Sequence, residues 1–463
     1  MALPRGLAWM ALTAVLAGGC ALAQPPEQAA VVDSALPATT VIPATWRSPA
    51  DADSSTGGWL ATFHDPGLTA VVQEAVEGNP DLQMVAAKVD AVRQSVGVVS
   101  ARLKPMVGAQ VGGSTIRDQD QPTSYEAGSV VVGASWELDI WGKVRAQKAS
   151  AVAQSQAATL QYAWARQSLA ALTARAWYLA VETRQLVELN QSSVSIYGEL
   201  LNLVTLRRAA GKVSDLDVAE ATANFQAAQG RLILAQSNDA EARRALELLL
   251  GRYPSAELVA ADSFVPLPPP VAAGIPADLL TRRPDVAAQE QQVLAAFRTE
   301  ESAKLALLPS FSLTGAAGLL SNALLSLVQL NPWMVGAGIG MSVPIYAGGG
   351  LKAQVRVATA EQQAQISAYG ATMLRAFAEV ERALTNEVNL NQRLALAQSE
   401  LVSRTESVRI ARIKYQAGGI DLLSVLQLQT QQLVAQANVI ELQRERLATR
   451  IDLHLALGGD FSS

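Results

Sequence analysis

The chain repeats the same order of landmarks after about 205 residues. Pro80 and Pro284 stand 204 positions apart, and Gly211 and Gly418 stand 207 positions apart. The separation therefore stays constant to within three residues along much of the sequence. Such a fixed offset is typical of an internal duplication, in which each copy supplies the same elements in the same order. We expect the fold to be built from two equivalent units.

Each copy is predicted to hold short helices, a pair of strands and a very long helix hairpin. The first repeat covers residues 59–262 and the second covers residues 263–463. The predicted strand pairs are 106–140 and 309–346, the helix hairpins are 143–250 and 351–457, and the helix before the second strand pair is 284–306.

The strand segments alternate between apolar and small or polar residues. In the second copy Val335, Ile339 and Val343 alternate with Gly336 and Gly340. Segments of about ten residues with this period are typical of membrane-spanning strands. A half-buried sheet in a soluble protein is the alternative for any one strand. Two hairpins favour the membrane, and because four strands cannot close a barrel we expect them to pair with strands of other subunits.

The helix hairpins contain almost no proline. None occurs between Pro122 and Pro254, and none follows Pro344. A helix of about 65 residues would reach about 100 Å if it were unbroken. Asp215 and Asp421 are predicted to cap the returning helix of each hairpin. Long coiled coils of the cytoskeleton share this pattern, but the predicted strands argue against them, and so does the apolar amino-terminal segment 7–17, which indicates export.

The amino terminus is predicted to be a signal peptide, residues 1–19. An apolar run from Leu7 to Ala17 follows Arg5, and it is too short to span a membrane as a mature helix. The segment Leu16–Cys20 is similar to a bacterial lipobox, so we predict that Cys20 is lipidated. Cleavage after Ala23 is the alternative. Residues 20–58, rich in Pro, Ala, Ser and Thr, are predicted to form an extended arm.

The composition excludes several function classes. One cysteine and two histidines, His64 and His454, leave no basis for a disulfide, a zinc site or a histidine-based catalytic centre. A formal charge of −5 provides no basic surface for nucleic acid. We therefore predict no enzyme activity, no cofactor, no metal site and no nucleic-acid partner.

Seven motifs are distributed along nearly the whole mature chain. They are Trp59–Pro66, Asn79–Leu82, Trp136–Arg145, Ile275–Asp285, Pro309–Gly315, Pro344–Gly349 and Tyr415–Asp421. Together, and in this order, they resemble the outer membrane factor family, the TolC-like channels, and in particular the NodT-type lipoproteins of resistance–nodulation–division efflux systems.

This resemblance implies a mixed α and β membrane protein in the outer membrane of a Gram-negative bacterium. It implies a homotrimer with a twelve-stranded barrel, four strands from each chain, that continues into a long periplasmic helical barrel. The implied partners are outer-membrane lipid, a periplasmic adaptor protein and an inner-membrane pump. The implied function is passive exit of small molecules such as drugs. Alternatives are a duct for type I protein secretion or for heavy metals, a trimeric coiled-coil surface adhesin, and, more remotely, a secreted enzyme.

The resemblance also places a periplasmic aperture at the tips of the helix hairpins. Leu423 matches a position that often forms an apolar seal. The family commonly has Leu-Asp-Ala-Gln where this chain has Leu426–Gln429, so Gln427 replaces an acidic residue. The remaining acids at the aperture are Asp215, Asp217 and Asp421, for which helix capping is the alternative role.

Three glycines are predicted to form the turns at the hairpin tips. They are Gly211, Gly418 and Gly419. We expect them to supply positive φ angles that other residues disfavour. Contact with the adaptor protein is their alternative role.

Overall fold

A computed structural model describes residues 22–48, 58–117, 124–321 and 333–461. The predicted signal peptide and Cys20 lie outside these residues. The chain divides into two compact units. Of the described residues, the first unit comprises 22–40, 87–117, 124–160, 287–321 and 333–372, and the second comprises 41–48, 58–86, 161–286 and 373–461.

From the helix that precedes each strand pair onwards, the helices and strands follow the same order in both copies of the duplication. In the first half they are α1 (Gln28–Ala35), α2 (Trp59–Thr62), α3 (Pro66–Gly78), α4 (Pro80–Ala101), β1 (Met106–Arg117), β2 (Ser124–Leu138), α5 (Lys143–Ala209) and α6 (Asp215–Leu249). In the second half they are a 3₁₀ turn (Pro276–Asp278), α7 (Leu279–Arg282), α8 (Pro284–Leu305), β3 (Ser310–Ser321), β4 (Trp333–Ser342), α9 (Gly350–Gln416) and α10 (Leu422–Ala456).

The first unit contains one antiparallel sheet in the order β1-β2-β3-β4. Its register aligns most of the apolar residues of the four strands on one face, because Val107 pairs with Ala134, and Leu313 pairs with both Trp136 and Ile339. The residues on this face are Val107, Ala109, Val111, Val130, Val132, Ala134, Trp136, Leu138, Phe311, Leu313, Ala317, Leu319, Trp333, Val335, Ala337, Ile339 and Met341.

The opposite face of the sheet is made mainly of small and polar residues. Gly108 pairs with Gly133, and Thr314 pairs with both Ser135 and Gly338. Glu137 is the only charged residue that the register puts on this face of the described strands. The sheet therefore has one apolar side and one nearly uncharged side, as expected for strands between lipid and an aqueous lumen.

Both strand pairs end earlier than the alternation predicted. The predicted pairs 106–140 and 309–346 end at Leu138 and Ser342 in the structure. Beyond β2, the Asp139 carboxylate accepts the backbone N–H groups of Val144 and Arg145 at 2.8 and 2.9 Å, so the chain turns to cap α5. Beyond β4, Pro344 has no N–H group to donate to a neighbouring strand.

The returning helix α6 is packed through alanines at a regular spacing. Its buried residues include Ala221, Ala228, Ala235 and Ala242, each seven positions after the last. A strict seven-residue repeat keeps one seam of a helix against its partner and produces a left-handed supercoil. Alanine also lets helices approach closely, which explains why it dominates the apolar positions of both hairpins.

The core of the second unit explains the motif Trp59–Pro66. Trp59, Phe63, Trp177 and Tyr178 are buried there with residues of α3, α6 and α10. The Asp65 carboxylate caps α3 through the N–H of Leu68 at 3.0 Å, and it accepts the indole N–H of Trp177 at 2.9 Å. One carboxylate therefore joins a helix start to the long helix beside it.

The amino-terminal arm is not wholly extended, in contrast to the prediction from its composition. Within the first unit it forms α1, and the Gln28 side chain donates to Glu290 at 3.0 Å. At the end of α1 the carbonyl of Ala35 lies against Gly370, where an added Cβ would clash with it. The helix forms because α8 and α9 provide a surface that its sequence alone does not reveal.

None of the described helices combines the length and apolar character that a transmembrane helix requires.

Candidate functional site

The two hairpin tips are brought together within the second unit. A shared core, here called the tip cluster, takes buried residues from α5, α6, α9 and α10. Its members are Tyr197, Val204, Ala221, Ala228, Ala411, Tyr415, Leu422, Val425 and Leu426. The candidate aperture residues of both repeats are therefore next to one packed core in the sequence of a single chain.

The two turns share one backbone geometry. Gly211 and Gly418 have φ angles of 69° and 80°, and each follows the end of a long helix. The next residue in each turn, Lys212 or Gly419, donates its N–H to the carbonyl five positions earlier, at 2.9 and 2.8 Å. This pattern closes a helix with a left-handed residue, which favours glycine.

Gly419 does not have the positive φ that was predicted for it. The second turn requires one left-handed residue, and Gly418 already provides it. Gly419 is the counterpart of Lys212 at the 207-residue offset, so its position accepts a residue with a side chain.

The helix starts differ from prediction in the first repeat. Ser214, not Asp215, caps α6: its Oγ accepts the N–H of Asp217, and the Asp217 carboxylate accepts the N–H of Ser214 at 2.8 Å. In the second repeat Asp421 caps α10, as predicted, and it accepts the N–H of Ser424 at 2.9 Å. The serine and the aspartate have exchanged places between the two copies, and each pair forms a cap.

Asp215 is held by an ion pair instead of a cap. Arg208 donates to its two carboxylate oxygens, Nε to Oδ1 at 2.5 Å and Nη2 to Oδ2 at 3.0 Å. The hydrogen bonds and positive charge of Arg208 lower the pKa of Asp215, and hydrogen bonds from Ser424 lower the pKa of Asp421. Both carboxylates are exposed and ionised at neutral pH, so either can also face an aperture.

Leu423 and Gln427 lie on an exposed stripe of α10. Leu423 is 47% exposed, whereas its neighbour Leu422 is buried in the tip cluster. Gln427 is one turn further along the same face and is also exposed. Gln429 is buried and accepts a hydrogen bond from Arg412 at 3.0 Å, so it is Gln427 that is free to face outward.

The first hairpin has matching residues that the sequence reasoning missed. At the 207-residue offset Leu216 is the counterpart of Leu423, and Glu220 is the counterpart of Gln427. Leu216 is 67% exposed, so both repeats present a leucine at the same place. The carboxylate that is absent at Gln427 is therefore present in the other copy, and the offset itself was the signal.

Arg207 joins the two hairpins next to the turns. Its guanidinium lies 4.6 Å from the ring centroid of Tyr415 and donates to the carbonyls of Tyr415 and Gln416 at 3.2 and 3.1 Å. A cation at the last carbonyls of α9 is favoured by the helix dipole. Within the described part of the chain, no group of His, Cys, Asp and Glu has the arrangement of a metal site.

Comparisons with known proteins agree with this architecture. The profile of the family described as outer membrane efflux protein matches residues 71–252 and 275–459, more than half of the chain. The chain is 29% identical over 467 residues to the pyoverdine export outer membrane protein OpmQ of Pseudomonas aeruginosa, covering 97% of this chain and 96% of that protein. It is 31% identical over 477 residues to the probable efflux pump outer membrane protein TtgC of Pseudomonas putida, covering 98% and 96%.

A solved structure shows the same fold. The open state of the Neisseria gonorrhoeae MtrE outer membrane channel superposes with a TM-score of 0.81 at 25% identity, covering 96% of this chain and 99% of that one. The predicted fold class, with four strands and two long helix hairpins in each chain, is confirmed. The chain belongs to the outer membrane efflux protein family.

Proposed function

We propose that three copies of this chain form a passive exit duct for small molecules across the outer membrane. As a member of its family the chain is an efflux channel protein of the outer membrane and not an enzyme. The observation that carries the proposal is the sheet register, which gives all four strands one apolar face and one nearly uncharged face. A sheet with these two faces can separate membrane lipid from an aqueous lumen.

The number of strands supports an oligomer. Within the described residues β1 and β4 each have one edge without a strand partner. Open edges are not tolerated in lipid, so copies must join edge to edge until a barrel closes. Three copies give the twelve strands that the family resemblance implies.

The implied partners are a periplasmic adaptor protein and an inner-membrane pump. The names of OpmQ and TtgC refer to pyoverdine export and to an efflux pump. They favour small molecules over proteins or heavy metals as the cargo. An adhesin or other purely structural role would not require a sheet with one apolar face and one nearly uncharged face.

We place the aperture at the exposed stripe of α10 and its counterpart on α6. Leu423 and Leu216 form the apolar seal of this proposal, with Gln427 and Glu220 one turn further. The acids Asp215, Asp217 and Asp421 surround the turns, and Gly211, Gly418 and Gly419 lie where an adaptor can reach them. When three chains surround one axis, these residues from all three chains form a ring around it.

The lipid anchor at Cys20 is supported by the residues that follow it. The N–H of Ala23 donates to Glu301 at 2.7 Å, and its carbonyl accepts from Arg298 at 2.7 Å. Leu22 lies against Gly142, between β2 and α5. Cleavage after Ala23 would remove both residues and their contacts, whereas lipidation at Cys20 keeps them next to the strand ends.

The gate is tested by cross-linking at Leu423. In a Cys20→Ser background, the Leu423→Cys protein should form disulfides between subunits, and oxidation should lower its conductance in planar bilayers to that of protein-free bilayers. Reduction should restore it. Leu396→Cys, an exposed leucine of α9, is the matched control and should conduct with or without oxidant. Failure of the unmodified protein to conduct would overturn the proposed function. Unchanged conductance of the Leu423→Cys protein after oxidation would overturn only the apolar seal at Leu423.

The anchor is tested by metabolic labelling. Cells given radiolabelled palmitate should label the protein, and Cys20→Ser should abolish the label because the chain has no other cysteine. The amino terminus of the unmodified protein is also sequenced. A mature chain that begins at Gln24 would show that cleavage after Ala23 occurs instead of lipidation.

A further inference from the structure

The ends of the four strands that adjoin helices α4, α5, α8 and α9 carry an excess of positive charge. Four segments adjoin these ends, namely residues 95–105, 137–148, 298–309 and 343–356, and all of them belong to the first unit. Together they contain nine lysines and arginines but only four acidic residues, whereas the whole chain has a net charge of −5. The positive charge is therefore concentrated at one level of the fold.

Each of the four acidic residues already has a cation of its own. The N···O distances are 2.5 Å for Lys143–Glu137, 3.1 Å for Arg145–Asp139, 2.7 Å for Arg298–Glu301 and 3.0 Å for Lys304–Glu300. These pairs use four of the nine cations and leave five without a carboxylate.

The five remaining cations are here called the basic collar. They are Arg102, Lys104, Lys148, Lys352 and Arg356. All five side chains are exposed, and none forms an ion pair within the described residues. Arg102 has only a hydrogen bond to the neutral amide of Gln147, at 3.3 Å. The collar therefore has no internal source of negative charge.

The basic collar lies beside the apolar face of the sheet. Trp136 belongs to that face, since it pairs with Leu313, and its indole N–H donates to the carbonyl of Leu103 at 3.0 Å. Lys104 is the next residue. Tryptophan is enriched at the boundary between hydrocarbon and water, where its ring is buried and its N–H finds an acceptor.

The collar also spans the depth of a headgroup layer. Lys352 and Arg356 follow the start of α9 at Gly350, and Lys148 follows the start of α5 at Lys143. At 1.5 Å rise per residue these cations lie within about 10 Å of the helix starts. The polar layer on each side of the hydrocarbon is about 5–8 Å thick, so it overlaps the collar.

We infer that the basic collar binds the phosphate groups of anionic phospholipids in the leaflet that faces the helices. The inference rests on the proposed function, because it requires the strands to lie in the membrane. Five cations on three separate chain segments do not converge on one small anion. A lipid layer presents many phosphates at one depth, and a ring of cations from several subunits can bind several of them at once.

The test measures which lipids remain on the protein. The full-length protein is purified in detergent containing equal amounts of phosphatidylglycerol and phosphatidylcholine, and the retained lipids are counted by mass spectrometry. We expect phosphatidylglycerol to be enriched about fivefold or more. The variant Lys104→Gln, Lys148→Gln, Lys352→Gln should bring the ratio close to that of the mixture.

A matched variant controls for the change in net charge. This triple variant removes three exposed cations outside the four segments, through Lys88→Gln, Arg244→Gln and Lys414→Gln. It should keep the enrichment of phosphatidylglycerol. Displacement of phosphatidylglycerol by inorganic phosphate at equal concentration would show a site for the free anion and overturn the inference. So would an unchanged lipid ratio in the collar variant together with an altered ion selectivity, because the cations would then face the lumen.

Failure of this inference is distinguishable from failure of the proposed function. A protein that conducts in planar bilayers but retains both lipids equally would overturn the basic collar alone. A protein that neither inserts nor conducts would overturn the exit duct, and the inference with it.

Discussion

Replacing Arg283 with methionine should lower the free energy of unfolding by about 3 kcal/mol per chain. Arg283 is 2% exposed and lies in the second unit. Its guanidinium donates to the two oxygens of Asp285 at 3.0 and 2.8 Å and to Glu379 at 2.6 Å, and it lies 4.6 Å from the ring centroid of Trp164. Methionine fills the volume but leaves both carboxylates without their cation.

Urea denaturation of the purified protein, followed by tryptophan fluorescence, measures this loss. The neighbouring Arg282 is the matched control because its pair with Asp278 is partly solvated at 3.3 Å. Arg282→Met should cost less than about 1 kcal/mol. Equal losses for the two variants would contradict the role of the buried guanidinium. Arg283→Lys should be intermediate, since it keeps the charge but not the two parallel hydrogen bonds.

Acidification should destabilise the protein through His454. Burial, together with the positive charge of Arg450, lowers the pKa of His454 from 6.5 to about 3. The ring is stacked on Trp59 at 5.7 Å between centroids, and its Nε2 has no hydrogen-bond partner in the described chain. The folded state therefore favours the neutral imidazole and disfavours its binding of a second proton.

The direction of the pH effect follows from proton binding. Below pH 6.5 the unfolded chain protonates His454 while the folded chain does not, so the free energy of unfolding falls as the pH decreases towards about 3. At about 1.4 kcal/mol per pH unit, lowering the pH from 6.5 to 4.5 should cost about 2–3 kcal/mol.

The measurement compares the pH dependence of variants. His454→Phe keeps an aromatic ring next to Trp59 and should flatten the decrease between pH 6.5 and 4.5. His64→Asn, at the other, exposed histidine, should leave the decrease unchanged. Burial raises the pKa of Glu182, and this shift stabilises the folded protein as the pH falls. The contribution of His454 is therefore the difference between the pH dependence of His454→Phe and that of the unmodified protein. An unaltered decrease in His454→Phe would contradict the assignment.

The constant offset was enough to predict the order of the elements and the positions of the turns. The offset did not predict which interactions the residues at equivalent positions form. Asn79 and Arg283 are 204 residues apart, yet Asn79 caps α4 through the N–H of Leu82, whereas Arg283 is the centre of a buried ion pair. Both roles depend on which side chains other elements bring to the same place, and a local pattern does not contain that information.

The candidate site was predictable to the same extent. The turn at Gly418 and the cap at Asp421 follow from local backbone rules, so the sequence alone located them. The pairing of Asp215 with Arg208, and the burial of Leu422 next to the exposed Leu423, depend on how the helices rotate against one another. A side chain one position away faces a different partner, and periodicity over a few residues does not resolve that difference.

The open edges of the sheet also bear on biogenesis. β1 is exposed at Val107 and Val111, and β4 is exposed along its whole length. A lone subunit would present these two edges to any other chain that could extend the sheet. The native state is therefore inseparable from the concentration of subunits, and folding of the strands must be completed together with assembly. Chaperoning before insertion and a rapid supply of identical neighbours are thus requirements of the architecture itself.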